Sequence, residues 1–258
     1  INKNLPIGNY WMDHPYHSVA EGVLFKKNFE NYLNKNNLKK YFDTSCNYSF
    51  LFSPNKTMIE NLDLFNSSIN IGIQNLSNEI KKNTFIKQVK CLAPSMFRKF
   101  LSGEEKVNNY TFSISLLTGQ NSSFQNRIEL SKEKDYYGIP YPTLYWKRSE
   151  KVRQSSKKIV ENIANFLVSE NLGRLAADEF LYNNKEYAHL NGYHHMGGTR
   201  MGNDKEYSVV DKNLKVHDTE NLFVSGSSVF TTAGHAYPTL TITQLSLRLA
   251  NHISKLTF

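Results

Sequence analysis

At 258 residues, with 40% hydrophobic and 21% charged side chains, the chain can bury a real core and is not a disordered tail. A formal charge of +8 invites a nucleic-acid partner. The lysines, however, are scattered singly or in pairs with acids between them, and no basic stripe with interleaved aromatics forms, so that partner is set aside. No stretch approaches the ~20 apolar residues a membrane-spanning helix needs, and no signal-peptide pattern opens the chain.

Cys46 and Cys91 lack the close spacing of a metal or disulfide motif, so they leave the compartment open. The chain begins with Ile1, and its first dozen residues read as the inside of a domain, which points to a fragment. Residues 1–20 read as irregular, with Pro, Gly and His where turns would be, and residues 21–27 as a short strand. Strands are expected over Asn47–Phe52 and Asn70–Ile73, and a helix over Leu76–Leu101 with Ser77 as a possible N-cap. Residues 110–120 and 127–131 look extended, and in the stretch 135–149 that follows a Gly-Ile-Pro turn joins two strand-like runs. Between Glu150 and Ser169, Val152, Ile159, Ile163, Phe166 and Leu167 fall near a 3.6-residue period, predicting a helix stopped before Gly173.

The last seventy residues differ in texture. Two short strands are expected between 209 and 230, and Leu222-Phe223-Val224 reads as a strand buried on both faces. It runs into the small-residue turn Ser225-Gly226-Ser227-Ser228. Pro238 then opens an apolar helix with Leu240, Leu245, Leu249 and Ile253 on its buried side. A strand, a small-residue turn and a helix N-terminus together offer free N–H groups and partial positive charge to an anionic or electron-rich ligand edge.

Two constellations carry chemistry. His194 and His195 precede Met196-Gly197-Gly198; histidine suits proton transfer near neutral pH, and the glycines admit close approach of a flat ligand. The second, Gly234-His235-Ala236-Tyr237-Pro238-Thr239, sets a His and a Tyr just before the last helix. Taken alone, either could be an ordinary loop. The spacing of His14 and His17 could suggest a metal, but no carboxylate or Cys is patterned with them, so no metal site is expected. His14 is expected to pack or hydrogen-bond in a turn. His217 is expected to be structural, and His252 to face solvent.

Taken in order, HHMGGTRMG (194–202), VVDKNLKVHDTENLFVSGSSVF (209–230) and TTAGHAYPTLTITQLSLRLANHI (231–253) resemble the C-terminal signature of the glucose-methanol-choline (GMC) flavin oxidoreductases. GNYWMDHP (8–15) is similar to that family's Asp-His-Pro segment, and residues 126–150 to its substrate-domain strands. The resemblance implies an α/β fold: a substrate domain with a mixed or antiparallel sheet and helices, plus the C-terminal strand and helix of a Rossmann-like FAD domain. It implies residues 1–20 as the tail of the FAD-domain segment, 21–190 as the substrate-binding domain, and 191–258 as the catalytic loop and return segment.

The implied activity is oxidation of an alcohol, in a sugar, polyol or other small molecule, by hydride transfer to FAD with a histidine handling the hydroxyl proton. By motif position that histidine is His194, with His195 the fallback. The second catalytic position, usually Asn or His, is here Tyr237, a hydrogen-bond donor but a poor base; His235 is the other candidate for that role. Gly226, Ser227, Ser228 and Val229, with Tyr237, Pro238 and Thr239, would lie along the flavin. The Gly-x-Gly-x-x-Gly turn for the FAD pyrophosphate occurs nowhere in the 258 residues. The resemblance therefore implies a missing N-terminal FAD-binding half as partner, on the same or a separate chain. The alternatives are a non-catalytic remnant, a binding module, or one half of a split enzyme.

Overall fold

A computed structural model describes residues 4–39, 48–75, 109–147, 149–183 and 190–256. Its centre is a six-stranded antiparallel sheet. β1 (Pro15–Leu24), β2 (Tyr48–Phe52), β3 (Ser67–Asn75), β4 (Tyr110–Thr118) and β7 (Gly173–Ala177) run in the spatial order β2-β3-β4-β1-β7, and the two-residue β8 (Leu190–Asn191) also pairs with β1. A separate hairpin joins β5 (Arg127–Lys134) to β6 (Pro140–Tyr145). The helices are α1 (Lys26–Lys35), α2 (Lys56–Leu62), α3 (Glu150–Ser169) and α4 (Thr239–Ile253). The mixed α/β class expected from the sequence is the class observed. The helix expected over 76–101 lies outside the described residues.

The two sheet faces differ because side chains alternate along each strand. On one face Ile69, Ile73, Phe112, Ile114 and Leu116 are buried. They pack with Ile159, Val160 and Leu167 of α3 into the main core. The 3.6-residue period read for α3 puts its apolar stripe on this face, where Ser155 and Ser156 are buried too. Both serines are satisfied: the Ser155 hydroxyl accepts from the Phe65 N–H at 3.1 Å, and Ser156 pairs with the His17 ring at 2.9 Å. A cavity of about 520 Å³ beside this core is lined by Leu24, Phe29, Ile71, Phe112 and Phe166 among other apolar side chains. Among the described residues its lining is apolar but for the Tyr32 phenol.

β1 starts six residues before the expected strand and crosses the 20/21 domain boundary inferred from the resemblance. It pairs with β4, β7 and β8, and it brings the opening segment directly against the C-terminal part of the chain.

The region 209–230 departs from expectation. It is held by single bridges, Met201 with Val210, Val210 with Val216, and Lys215 with Phe223, rather than by extended strands. Leu222 is exposed and Phe223 and Val224 are half-buried, so this run is covered on one side only. A second, smaller core explains the arrangement: Val209, Val210, Leu214, Val216, Val229 and Leu249 cluster there with Leu5. On α4, Leu249 is buried and Leu245 and Ile253 pack on that cluster, but Leu240 is 70% exposed, against expectation. Leu240 lies on the helix face turned away from the cluster, where no described element covers it.

Candidate active site

The loop that carries His194 and His195 is stitched to the opening segment along its length. Gly8 donates to the Gly198 carbonyl at 2.7 Å, and Met12 and Met196 exchange backbone hydrogen bonds at 2.9 and 2.8 Å. Gly192 donates to the His14 carbonyl at 3.1 Å. Between them sits Asp13, fully buried, whose Oδ1 accepts from the backbone N–H of His14 at 2.7 Å and of His194 at 2.9 Å. A carboxylate receiving two N–H groups in a water-excluded position holds its partners far more tightly than a neutral acceptor would.

On its other side the loop is tied to the small-residue turn. Thr199 bonds Ser228 through both backbone (2.9 Å) and side chain (2.7 Å), and the Ser227 hydroxyl donates to the His195 carbonyl at 2.6 Å. Gly197 is required here. Its φ of +88° belongs to the left-handed region, and a Cβ would sit 2.2 Å from the Tyr10 carbonyl oxygen.

These ties place the sequence-named residues unequally. His194 and Tyr237 come together, ring centroids 4.9 Å apart, and both line a cavity of about 360 Å³ against the sheet face opposite the main core. His195 points elsewhere: its exposed ring packs on buried Trp11 at 5.2 Å. His235 pairs with the Ser53 hydroxyl at 3.2 Å, and burial holds its pKa below the ordinary value. Of the turn residues, Gly226 has φ +122° and a Cβ there would meet nothing within 4 Å, so it faces open space. Ser227 and Ser228 are half-buried, whereas the Val229 side chain is fully buried in the smaller core and can offer a ligand only backbone. Pro238 is buried at the start of α4 while Tyr237 and Thr239 are exposed.

Two residues of the site were not assigned a site role from sequence. His14 is fully buried, and its ring meets that of His194 edge-on at 5.1 Å. Asp13 is the other, and the Asp-His-Pro order in 13–15 was the available signal. His217 and His252 fall outside the site. His217 pairs with the Ser208 hydroxyl at 2.9 Å, and half-buried His252 packs edge-on against Phe223 rather than facing solvent freely.

Burial, and then the neighbouring His194 charge, hold the His14 pKa below its ordinary value of 6.5; Asp13 opposes them, and His235 adds a small lowering. The folded state therefore binds fewer protons than the unfolded chain as pH falls through 6.5. The stability from keeping His14 neutral is complete above that pH and declines below it, by at most about 1.4 kcal/mol per pH unit. Urea midpoints measured from about pH 7.5 down to about pH 5 should fall, and His14→Phe should flatten that slope. An unchanged slope would move the effect to another group.

A model of the C-terminal region of GMC oxidoreductases matches residues 122–246. Over those residues the chain matches the GMC oxidoreductase family. The fructose dehydrogenase large subunit of Gluconobacter japonicus is 37% identical over 132 residues, half of this chain and 22% of that protein. The 2-methyl-1,2-propanediol dehydrogenase of Mycolicibacterium austroafricanum is 45% identical over 64 residues, a quarter of this chain and 12% of that protein. A crystal structure of formate oxidase aligns with 96% of this chain and 47% of its own, at 15% identity and a TM-score of 0.47. The chain thus spans less than half the length of these proteins.

GMC oxidoreductases are FAD-binding oxidoreductases. Features of the chain that fit such a group are the open turn at Gly226, the helix N-terminus at Thr239 with no side-chain cap, and His194 on the cavity wall. The Nδ1 of His194 is buried without a hydrogen-bond partner among the described residues. No described helix is long and apolar enough to cross a membrane.

Proposed function

We propose that this chain forms the substrate side of an FAD-dependent oxidoreductase that oxidises a CH–OH group of a sugar, polyol or other alcohol. One observation carries the reading: His194 and Tyr237 share the wall of a single cavity, and Tyr237 immediately precedes the start of α4. His194 takes the hydroxyl proton at its ring nitrogen as the carbinol carbon gives up a hydride. Bound FAD supplies the hydride acceptor.

Tyr237 donates its phenol hydrogen to the same oxygen and orients it, standing where the family usually has Asn or His. His195 and His235 are turned to other partners and serve the loop rather than the reacting oxygen. Asp13 positions His194 through its backbone. The partner is an N-terminal FAD-binding half, on the same or a separate chain. Exposed Leu240 and Leu247 of α4 give it an apolar surface to cover.

The test is direct. The complete protein, purified with its FAD-binding half, should carry visible flavin absorbance that bleaches anaerobically on addition of an alcohol. Flavin that no alcohol bleaches would reject the reading.

A further inference from the structure

Four buried polar atoms on three side chains lack a hydrogen-bond partner among the described residues: Oδ2 of Asp13, both ring nitrogens of His14 and Nδ1 of His194. Such atoms are costly where water is excluded, and each calls for a physical reason. His14 is the extreme case, since its ring is fully buried. Buried His17, on β1, pairs with the Ser156 hydroxyl at 2.9 Å. His14 has no comparable bond; the Gly234 backbone lies near enough only to favour its charged form.

The cluster is held in a fixed geometry. Oδ1 of Asp13 accepts from the backbone N–H of His14 at 2.7 Å and of His194 at 2.9 Å, and Gly192 donates to the His14 carbonyl. These ties set the His14 ring edge-on to that of His194, with centroids 5.1 Å apart. His194 also meets Tyr237 and lines the cavity, whereas His14 does not line it. His14 can therefore act on a substrate there only through another group.

An imidazole can accept a proton at one nitrogen and release one from the other, which suits it to passing protons on. Charge on His14 is finely balanced. Burial and the charges of His194 and His235 oppose it, while Asp13 and the Gly234 backbone favour it. A ring so placed can receive a proton without trapping it.

We propose that His14 is a proton relay for His194. In the step in which the carbinol carbon loses a hydride to bound flavin, the hydroxyl proton goes to one ring nitrogen of His194, and the proton on its Nδ1 moves to a ring nitrogen of His14. The alcohol has then lost one hydride and one proton, His194 is neutral again, and His14 carries the positive charge beside the Asp13 carboxylate. The ring separation allows this transfer directly or through one water. The relay rests on the proposed alcohol oxidation with His194 as proton acceptor.

The experiment uses the complete, FAD-loaded protein and its His14→Gln variant, which keeps a hydrogen-bonding side chain that cannot take up a proton. Ethanol, benzyl alcohol, glycerol and glucose are screened, and the one that bleaches the flavin fastest is used. Anaerobic flavin reduction is followed by stopped flow in mixtures of H₂O and D₂O. In the unaltered protein two protons move together, so the rate should fall along a curve as the deuterium fraction rises. His14→Gln should be about tenfold slower at saturating alcohol, with a smaller change in the half-saturating concentration, and its rate should fall along a straight line.

An unchanged rate in His14→Gln, or isotope plots of one shape in both proteins, would overturn the relay and leave alcohol oxidation standing. Should His14→Gln fail to fold, His14→Asn takes its place. Histidine ring ¹⁵N spectra of the flavin-loaded protein are recorded across pH in parallel. If no alcohol bleaches the flavin, the proposed oxidation fails, and these spectra still judge the pair. A His14 ring that never takes up a second ring proton in the folded protein overturns the relay. One that does so, at a pH that moves in His194→Ala, upholds the coupling of the two rings.

Discussion

Replacing His194 by alanine in the complete, flavin-loaded protein should slow alcohol-driven flavin reduction by about 10²-fold or more, the usual contribution of a positioned proton acceptor. Of the four residues singled out around the reacting centre, only His194 and Tyr237 line the cavity above the polar sheet face. His195 and His235 are turned toward Trp11 and Ser53. The same substitution at His195 should therefore leave the rate within a few-fold of the parent. Stopped-flow traces of flavin absorbance under anaerobic conditions read both variants. A large loss at His195 with none at His194 would reverse the assignment. Because the His194 backbone N–H bonds Asp13 whatever its side chain, His194→Ala should stay folded, and the loss would report chemistry rather than collapse.

Gly197→Ala should destabilise the fold by about 3 kcal/mol or more, through two separable causes. The first is its left-handed φ of +88°, which costs an alanine about 1–2 kcal/mol. The second is collision: the added carbon would lie 2.2 Å from the backbone oxygen of Tyr10, which cannot swing aside as a side-chain tip can. Gly138 is the control. It shares a positive φ, +78°, but its Cβ would meet nothing within 4 Å, so Gly138→Ala should show the conformational cost alone. The difference between the two variants in urea unfolding then measures how rigidly the histidine loop is seated on the opening segment. Equal losses would mean that the loop yields, and the stitched site described above would be looser than its hydrogen bonds indicate.

What could be read from sequence follows from where the apolar period is clean. α3 matched from Glu150 to Ser169 because its stripe faces one large core and its polar face meets water. β4 was legible for the same reason, with alternate residues buried from Tyr110 onward. β1 was read six residues short because its first half buries His17 and exposes Ser18, so the hydrophobic alternation is carried by a histidine satisfied by Ser156. Leu222-Phe223-Val224 reads as a strand buried on both faces and Leu240 as lying on the buried side of its helix, yet the smaller core reaches only one side of each element. In the site, His194 and Tyr237 were found through motif order. The polar sheet face under the cavity is not legible, since Ser68, Asn70 and Ser115 are ordinary polar residues until strand register puts them on one face.

The clamp at Asp13 has a consequence for the order of events during synthesis. Its carboxylate accepts from its neighbour His14 and from His194, which follows it by 181 positions. A growing chain can complete β1 through β4 and bury the main core while the histidine loop is still unmade. Until that loop emerges, Asp13 is a buried-to-be anion with half of its donors missing, a state water must tolerate. The seating of the histidine loop is thus a late product of folding, closed by contacts of long sequence separation, and such contacts form slowly. A ribosome-stalled chain ending before residue 190 would present the polar sheet face to solvent with no histidine above it.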